Sequence, residues 1–201
     1  MNKTRRIALY IYLVLAGIGL QFELGSMAEK DVTLEAGRDL VLNLAVLAAF
    51  FLPFYFLIKK LAKKLSVETI VLGTALFGGA FISGWLSFAG NSLIDIINSN
   101  FIKDPAVFNA WTNALTAPFA EEFFKSLTAF AALYILGRKD IQSVLIAGLS
   151  SGFGFQVIED IAYVSRVTFG EQYSGSLEAV GRIAGGLASH TLANADRKSV
   201  V

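Results

Sequence analysis

The stretch APFAEEFFKSL, residues 117–127, places two carboxylates and one ammonium group inside a long apolar segment. Glu121, Glu122 and Lys125 would lie in the first turns of a helix long enough to cross a membrane. An ionised carboxylate at the centre of a bilayer costs about 2.5–3.5 kcal/mol, so two adjacent ones need a compensating role. Ionisable groups at such a depth indicate a functional site.

The composition of the whole chain indicates the class of protein. The 201 residues are 55% hydrophobic and only 16% charged, with 17 phenylalanines, and the mean hydropathy is +0.60. These values are typical of a polytopic membrane protein in contact with a lipid bilayer. The chain has no cysteine, which excludes disulfides, thiolate metal sites and a cysteine nucleophile. The net charge of +1, without a basic stripe, argues against nucleic acid as a partner.

Six apolar stretches predict an all-α, polytopic transmembrane helix bundle, since about 20 helical residues cross a hydrocarbon core. They cover residues 7–22, 40–58, 69–89, 112–136, 141–164 and 177–195. Basic loops alternate with loops that are not basic, and the positive-inside rule then predicts a cytoplasmic N-terminus. The amphipathic region between the third and fourth stretches fits an interfacial helix, a re-entrant element or a loop.

Each of the last three stretches carries polar groups at helical spacing. Glu121 and Glu122 precede Lys125 by four and three residues, so one lysine can reach both carboxylates. Phe155 and Glu159 are four residues apart and share one helix face. The pattern predicts a charged cluster on one helix and a carboxylate beside an aromatic ring on the next.

The last stretch carries the only histidine of the chain, His190, four residues before Asn194. At a rise of about 1.5 Å per residue, this imidazole and the carboxylates of the two preceding helices reach similar depths, in the outer half to middle of the membrane. We therefore expect them to face one interior cavity.

Paired carboxylates with an imidazole suit hydrolysis. One carboxylate can act as general base towards water, and the remaining groups can ligate a divalent metal or stabilise an oxyanion. Each group also has a structural interpretation, as an ion pair, an interfacial carboxylate or a helix-packing hydrogen bond. Two further functions stay open at this point: a proton- or cation-coupled transporter that uses the same carboxylates, and an inactive membrane scaffold.

The ordered set of motifs resembles that of a known family. E121-E122-x-x-K125, then F155-x-x-x-E159, then His190 with Arg182 upstream resemble the PrsW family of intramembrane proteases, relatives of the CAAX prenyl protease and Abi (CPBP) group. The resemblance implies a glutamate-dependent, metal-dependent endopeptidase of the prokaryotic cytoplasmic membrane. Its substrates would be single-pass membrane proteins, such as anti-sigma factors, cleaved near the outer face.

The resemblance also implies roles for individual residues. Glu121 or Glu122 would be the general base, while Glu159 and His190 would bind a metal or stabilise an oxyanion. The implied metal is zinc, bound by Glu122, Glu159 and His190. Asp160 stands where the family usually has asparagine. The supporting residues implied are Lys125, Phe155, Arg182 and Asn194.

The resemblance and the spans together predict one protease-like membrane domain over residues 1–195, incomplete at its C-terminal end. The last six residues, DRKSVV at 196–201, change character abruptly, and we expect them to be a non-native read-through tail. A chain truncated in this way is expected to lack helices and can be inactive.

Overall fold

The computed structural model describes residues 1–28, 34–169, 179–181 and 183. Over these residues the chain is built from helices and contains no strand, which confirms the predicted all-α class. The elements are α1 Lys3–Ala28, α2 Leu34–Lys64, α3 Thr69–Gly78, a π-helical turn Gly79–Ser83, α4 Gly84–Phe101, α5 Pro105–Leu136 and α6 Ile141–Thr168. The predicted span 177–195 falls almost entirely outside the described residues.

Helices long and apolar enough to cross a membrane are present, as the composition predicts. Within the described residues, four stretches meet this criterion: Lys3–Gly25, Ala36–Lys64, Thr69–Phe101 and Ile141–Thr168. The third of these is continuous through the π-helical turn, so α3 and α4 form one long helical rod. The protein is therefore a polytopic membrane protein.

The region between the third and fourth predicted spans is helical rather than a loop. Helix α4 continues to Phe101, and α5 begins at Pro105 after a connection of three residues. Asp104 caps α5, because its side chain accepts hydrogen bonds from the backbone N–H groups of Ala106 at 2.8 Å and Val107 at 3.3 Å. Proline at the first helical position strengthens this start signal. The cap therefore sets the start of α5 seven residues before the apolar stretch begins.

The turn between α5 and α6 is sharp and well capped. Gly137 adopts a left-handed conformation with φ 72°, and the N–H of Arg138 reaches back to the carbonyl of Leu133 at 3.0 Å, as in a Schellman motif. Asp140 then caps α6 by accepting a hydrogen bond from the Ser143 N–H at 2.8 Å. That bond also lowers the pKa of the Asp140 carboxyl group.

The chain forms two compact units. The first contains residues 1–23 and 57–158, and the second contains 24–56 and the part of the chain from Glu159 onward. In the second unit, buried Asn43 of α2 donates a hydrogen bond to the Thr168 hydroxyl at 3.4 Å. The charged cluster on α5 belongs to the first unit.

Three predicted cytoplasmic segments lie at one end of the first unit. Arg138 forms an ion pair with Glu68, just before α3, and the Arg5 guanidinium lies against Gly137. The N-terminus, the α2–α3 connection and the α5–α6 turn are thus neighbours. This arrangement agrees with the alternation of basic loops, which requires all three to be on the same side of the membrane.

Small residues bring the helices of the first unit into backbone contact. Gly79 packs against the carbonyl of Ser151, and Gly154 packs against the carbonyl of Leu76, so α6 lies directly on the α3 rod. Such close approach is how helices associate in lipid, where the hydrophobic effect between helices is lost. The core cluster beside these contacts is Val71, Ala75, Ala129, Ala132, Leu133 and Ala147.

Candidate functional site

The charged cluster of α5 forms as its spacing predicts. The Lys125 Nζ lies 2.9 Å from Glu122 Oε1 and 3.5 Å from Glu121 Oε2. The two carboxylates differ in environment: the Glu121 side chain is 11% exposed, whereas that of Glu122 is 71% exposed. One buried carboxylate and one accessible carboxylate thus share a single ammonium group.

An aromatic ring completes the surroundings of this lysine. The Lys125 Nζ lies 4.2 Å from the centroid of the Phe155 ring, within the range of a cation–π interaction. Phe155 itself is buried. The ring therefore holds the ammonium group between α5 and α6, and two residues that the sequence singled out on separate helices are brought together.

A chain of hydroxyl groups lies one turn from the charged cluster. The Thr128 hydroxyl is 2.9 Å from the Ser83 hydroxyl and 2.9 Å from the Ser151 hydroxyl. The Ser151 hydroxyl also donates to the carbonyl of Lys125 at 2.8 Å. These bonds join the π-helical turn, α5 and α6 at the level of the lysine, and they fix the backbone from which Lys125 projects.

These three hydroxyl residues were not predicted from the sequence as part of the site. Serine and threonine are common in membrane helices and have no spacing signature when they pair across helices. The adjacent Gly78-Gly79 pair was the available signal, because small residues mark where another helix approaches closely. The π-helical turn at the same place is a feature that is often found at functional sites.

The remaining predicted site residues lie on α6 and beyond it. Glu159 follows Phe155 by one turn of α6 and belongs to the second unit. Its Oε2 atom is buried. Asp160 is only 2% exposed, so the position that departs from the family pattern is a core position. His190, Arg182 and Asn194 lie outside the described residues.

The described residues offer few ligands for a metal ion. Across the described ranges there is no group of three histidine, cysteine, aspartate or glutamate side chains placed to hold a metal ion. Glu121 and Glu122 supply two carboxylates, both in contact with Lys125.

The fold and the charged cluster define a class: an integral membrane protein with a buried glutamate paired to a lysine on one of its helices. A family model described as PrsW family intramembrane metalloprotease matches residues 66–194. This match covers more than half of the chain, and the chain belongs to that family. No curated protein and no solved structure matches the chain.

Family membership gives the coarse activity. The chain is an intramembrane protease of a family described as metalloproteases, and such an enzyme acts on membrane proteins within the lipid bilayer. The matched region contains the charged cluster, Phe155, Glu159 and His190. The resemblance seen in the short motifs is thus confirmed at the level of the family.

Proposed function

We propose that the protein is an endopeptidase in which Glu121 activates water for attack on a substrate peptide bond. The observation that supports this role is the environment of the two carboxylates. Glu121 is buried in the middle of α5 and is 3.5 Å from Lys125, whereas Glu122 is largely exposed. A general base benefits from a site that excludes bulk water, because its orientation and charge then act on one bound molecule.

The proposed steps use residues of this chain. Glu121 accepts a proton from a water molecule as the water oxygen bonds to the scissile carbonyl carbon. The proton then passes from the carboxyl group to the leaving amine nitrogen as the C–N bond breaks. Lys125 balances the charge of the carboxylates, since an unpaired carboxylate is costly in a bilayer, and Phe155 keeps its ammonium group in place.

We propose that the metal indicated by the family description is zinc, bound by Glu122, Glu159 and His190. Carboxylate oxygens and imidazole nitrogen are ordinary zinc ligands in hydrolases, and a bound zinc ion makes water more acidic. The exposure of the Glu122 carboxylate supports its assignment as ligand rather than base. Elemental analysis of the purified protein tests this assignment: we expect about one zinc per chain, lost in Glu122→Gln and His190→Ala.

The same reasoning extends to substrate and orientation. We propose that the substrates are single-pass membrane proteins, with anti-sigma factors as the leading class, in a prokaryotic cytoplasmic membrane. With the N-terminus and the α5–α6 turn in the cytoplasm, Glu121 lies about 23 Å along α5 from that turn. In a hydrocarbon core of about 30 Å this depth is in the outer half, which supports cleavage near the outer face. We assign this activity to residues 1–195 as a single domain.

The experiment that tests the base is a comparison of two glutamate variants. The full chain and a panel of single-pass anti-sigma factors are reconstituted in proteoliposomes, and the cleavage products are identified by mass spectrometry. We expect Glu121→Gln to lower kcat by about 100-fold or more, since that is the usual contribution of a general base. Glu68→Gln is the matched control, because Glu68 is exposed and lies just before α3. Cleavage by Glu121→Gln at the rate of the control would exclude Glu121 as the base.

A further inference from the structure

Helix α4 carries two buried polar atoms that have no hydrogen-bond partner among the described residues. Ser87 is 2% exposed, and its hydroxyl has no hydrogen-bond partner within the described part of the chain. The buried Oδ1 atom of Asn91, one turn further along, also has none there. A buried polar atom left without a hydrogen bond is destabilising, so such atoms in native proteins call for a ligand or an ordered water.

The contacts between α4 and α5 place these two side chains relative to the charged cluster. Ser83 contacts Thr128 at 2.9 Å, and Gly90 faces Ala120 and Phe124. Going from the first contact to the second, residue numbers rise on α4 and fall on α5, so the two helices are antiparallel. Gly90 also permits close approach, because a Cβ atom there would lie 2.9 Å from the Phe124 ring.

The register then gives the level of Glu121. Glu121 precedes Thr128 by seven residues, which places both on one face of α5, about 10 Å apart along the axis. On α4, Ser87 and Asn91 lie about 6 Å and 12 Å beyond Ser83. The buried carboxylate is therefore level with the interval between the two unpartnered polar atoms.

The geometry points to a water-binding site: we infer that Ser87 and Asn91 hold a buried water at the level of Glu121. Two groups one helical turn apart can be joined by one water through two hydrogen bonds of about 2.8 Å each. A buried water typically makes about three hydrogen bonds, and the Glu121 carboxylate is the third partner. The burial of Ser87 favours an occupant as small as a water molecule at its hydroxyl.

The site would keep the hydrolytic nucleophile inside an apolar bundle. Its role in hydrolysis rests on the proposed function of Glu121, but the hydration of Ser87 and Asn91 does not. Ser87 and Asn91 would act as positioning residues, since they orient the water and leave proton transfer to the carboxylate.

Hydration is tested without any measurement of activity. Water-edited solid-state NMR of the full chain in lipid bilayers records how fast water magnetisation reaches each residue. We expect Ser87 and Asn91 to match exposed Ser99 and to exceed the core residue Ala75, in the wild type and in Glu121→Gln alike. Transfer at Ser87 and Asn91 as slow as at Ala75 would show a dry contact and overturn the inference. If water magnetisation reaches Ser87 and Asn91 quickly while Glu121→Gln is fully active, the water site stands and Glu121 is not the base.

Kinetics test whether the water is used. We expect Ser87→Ala to lower kcat about 10-fold, which corresponds to one lost hydrogen bond, and to leave KM unchanged. Thermal stability should change little, because the Ser87 hydroxyl bonds to the water and to no other described protein group, and Ser87→Thr should retain activity. Ser92→Ala on the exposed side of α4 is the matched control. A fall in kcat that tracks a fall in stability, or an unchanged kcat, would contradict the positioning role.

Discussion

Replacing Gly79 with alanine tests the backbone contact between the α3 rod and α6. A Cβ atom at Gly79 would lie 2.7 Å from Ser151 Cα and still closer to the Ser151 carbonyl. Carbon atoms in relaxed contact are about 3.5–4.0 Å apart, so the two backbones must separate by about 1 Å. Neither side can yield by rotating a side chain, because both contacting groups are main chain.

The expected loss of stability follows from that displacement. Overpacking of a tight contact costs about 1–3 kcal/mol. The bond between Thr128 and Ser151, now 2.9 Å, would lengthen beyond hydrogen-bond range, at a further cost of about 0.6 kcal/mol in a membrane. We therefore expect Gly79→Ala to lower the free energy of unfolding by about 2–4 kcal/mol.

Two other glycines provide matched controls for this measurement. Gly73 on the same rod and Gly148 on α6 have nothing within 4 Å of an added Cβ atom, so alanine there should be neutral or slightly stabilising. The free energies of unfolding are measured in bicelles by steric trapping. A difference below about 0.5 kcal/mol between Gly79→Ala and Gly73→Ala, within the usual range of surface substitutions, would refute the contact.

Two further predictions concern the charged cluster and the orientation. Lys125→Met should destabilise the fold by about 3 kcal/mol, because it leaves the Glu121 carboxylate buried and unpaired. The double variant Lys125→Met with Glu121→Gln should recover at least half of that loss. Strictly additive effects of the two substitutions on the free energy of unfolding would contradict a buried pair. Because the chain has no cysteine, single substitutions Lys63→Cys and Lys103→Cys can be labelled with a membrane-impermeant maleimide. We expect labelling in intact cells at position 103 and not at 63, and the reverse pattern would invert the proposed topology.

Much of the fold could be predicted from the sequence, because lipid imposes long apolar helices and loop charge shows where they end. The predicted starts at residues 69 and 141 coincide with the first residues of α3 and α6. The contact of Lys125 with both carboxylates also followed from spacing alone, since residues three and four apart are neighbours on any helix.

The rest of the site depends on how helices pack against each other. Glu121 and Glu122 are adjacent in sequence, and only the rotation of α5 against its neighbours decides which of them is buried. The hydroxyl contacts of Thr128 join residues 23 and 45 positions apart, with no periodicity to reveal them. The start of α5 was predictable in principle from the capping aspartate and the proline after it, but the weak hydrophobicity of that region obscured it.

The docking of α1 has a consequence for the order of assembly. The Tyr12 hydroxyl donates a hydrogen bond to the carbonyl of Thr74 at 2.7 Å, across 62 residues of chain, and the apolar cluster around Tyr12 includes Ile82 and Ile135. During synthesis α1 therefore enters the membrane long before its partners exist. Until α3 arrives, the hydroxyl would face hydrocarbon without an acceptor, which is unfavourable. We expect α1 to stay at the insertion machinery until later helices are made, so that the bundle closes late around its first helix.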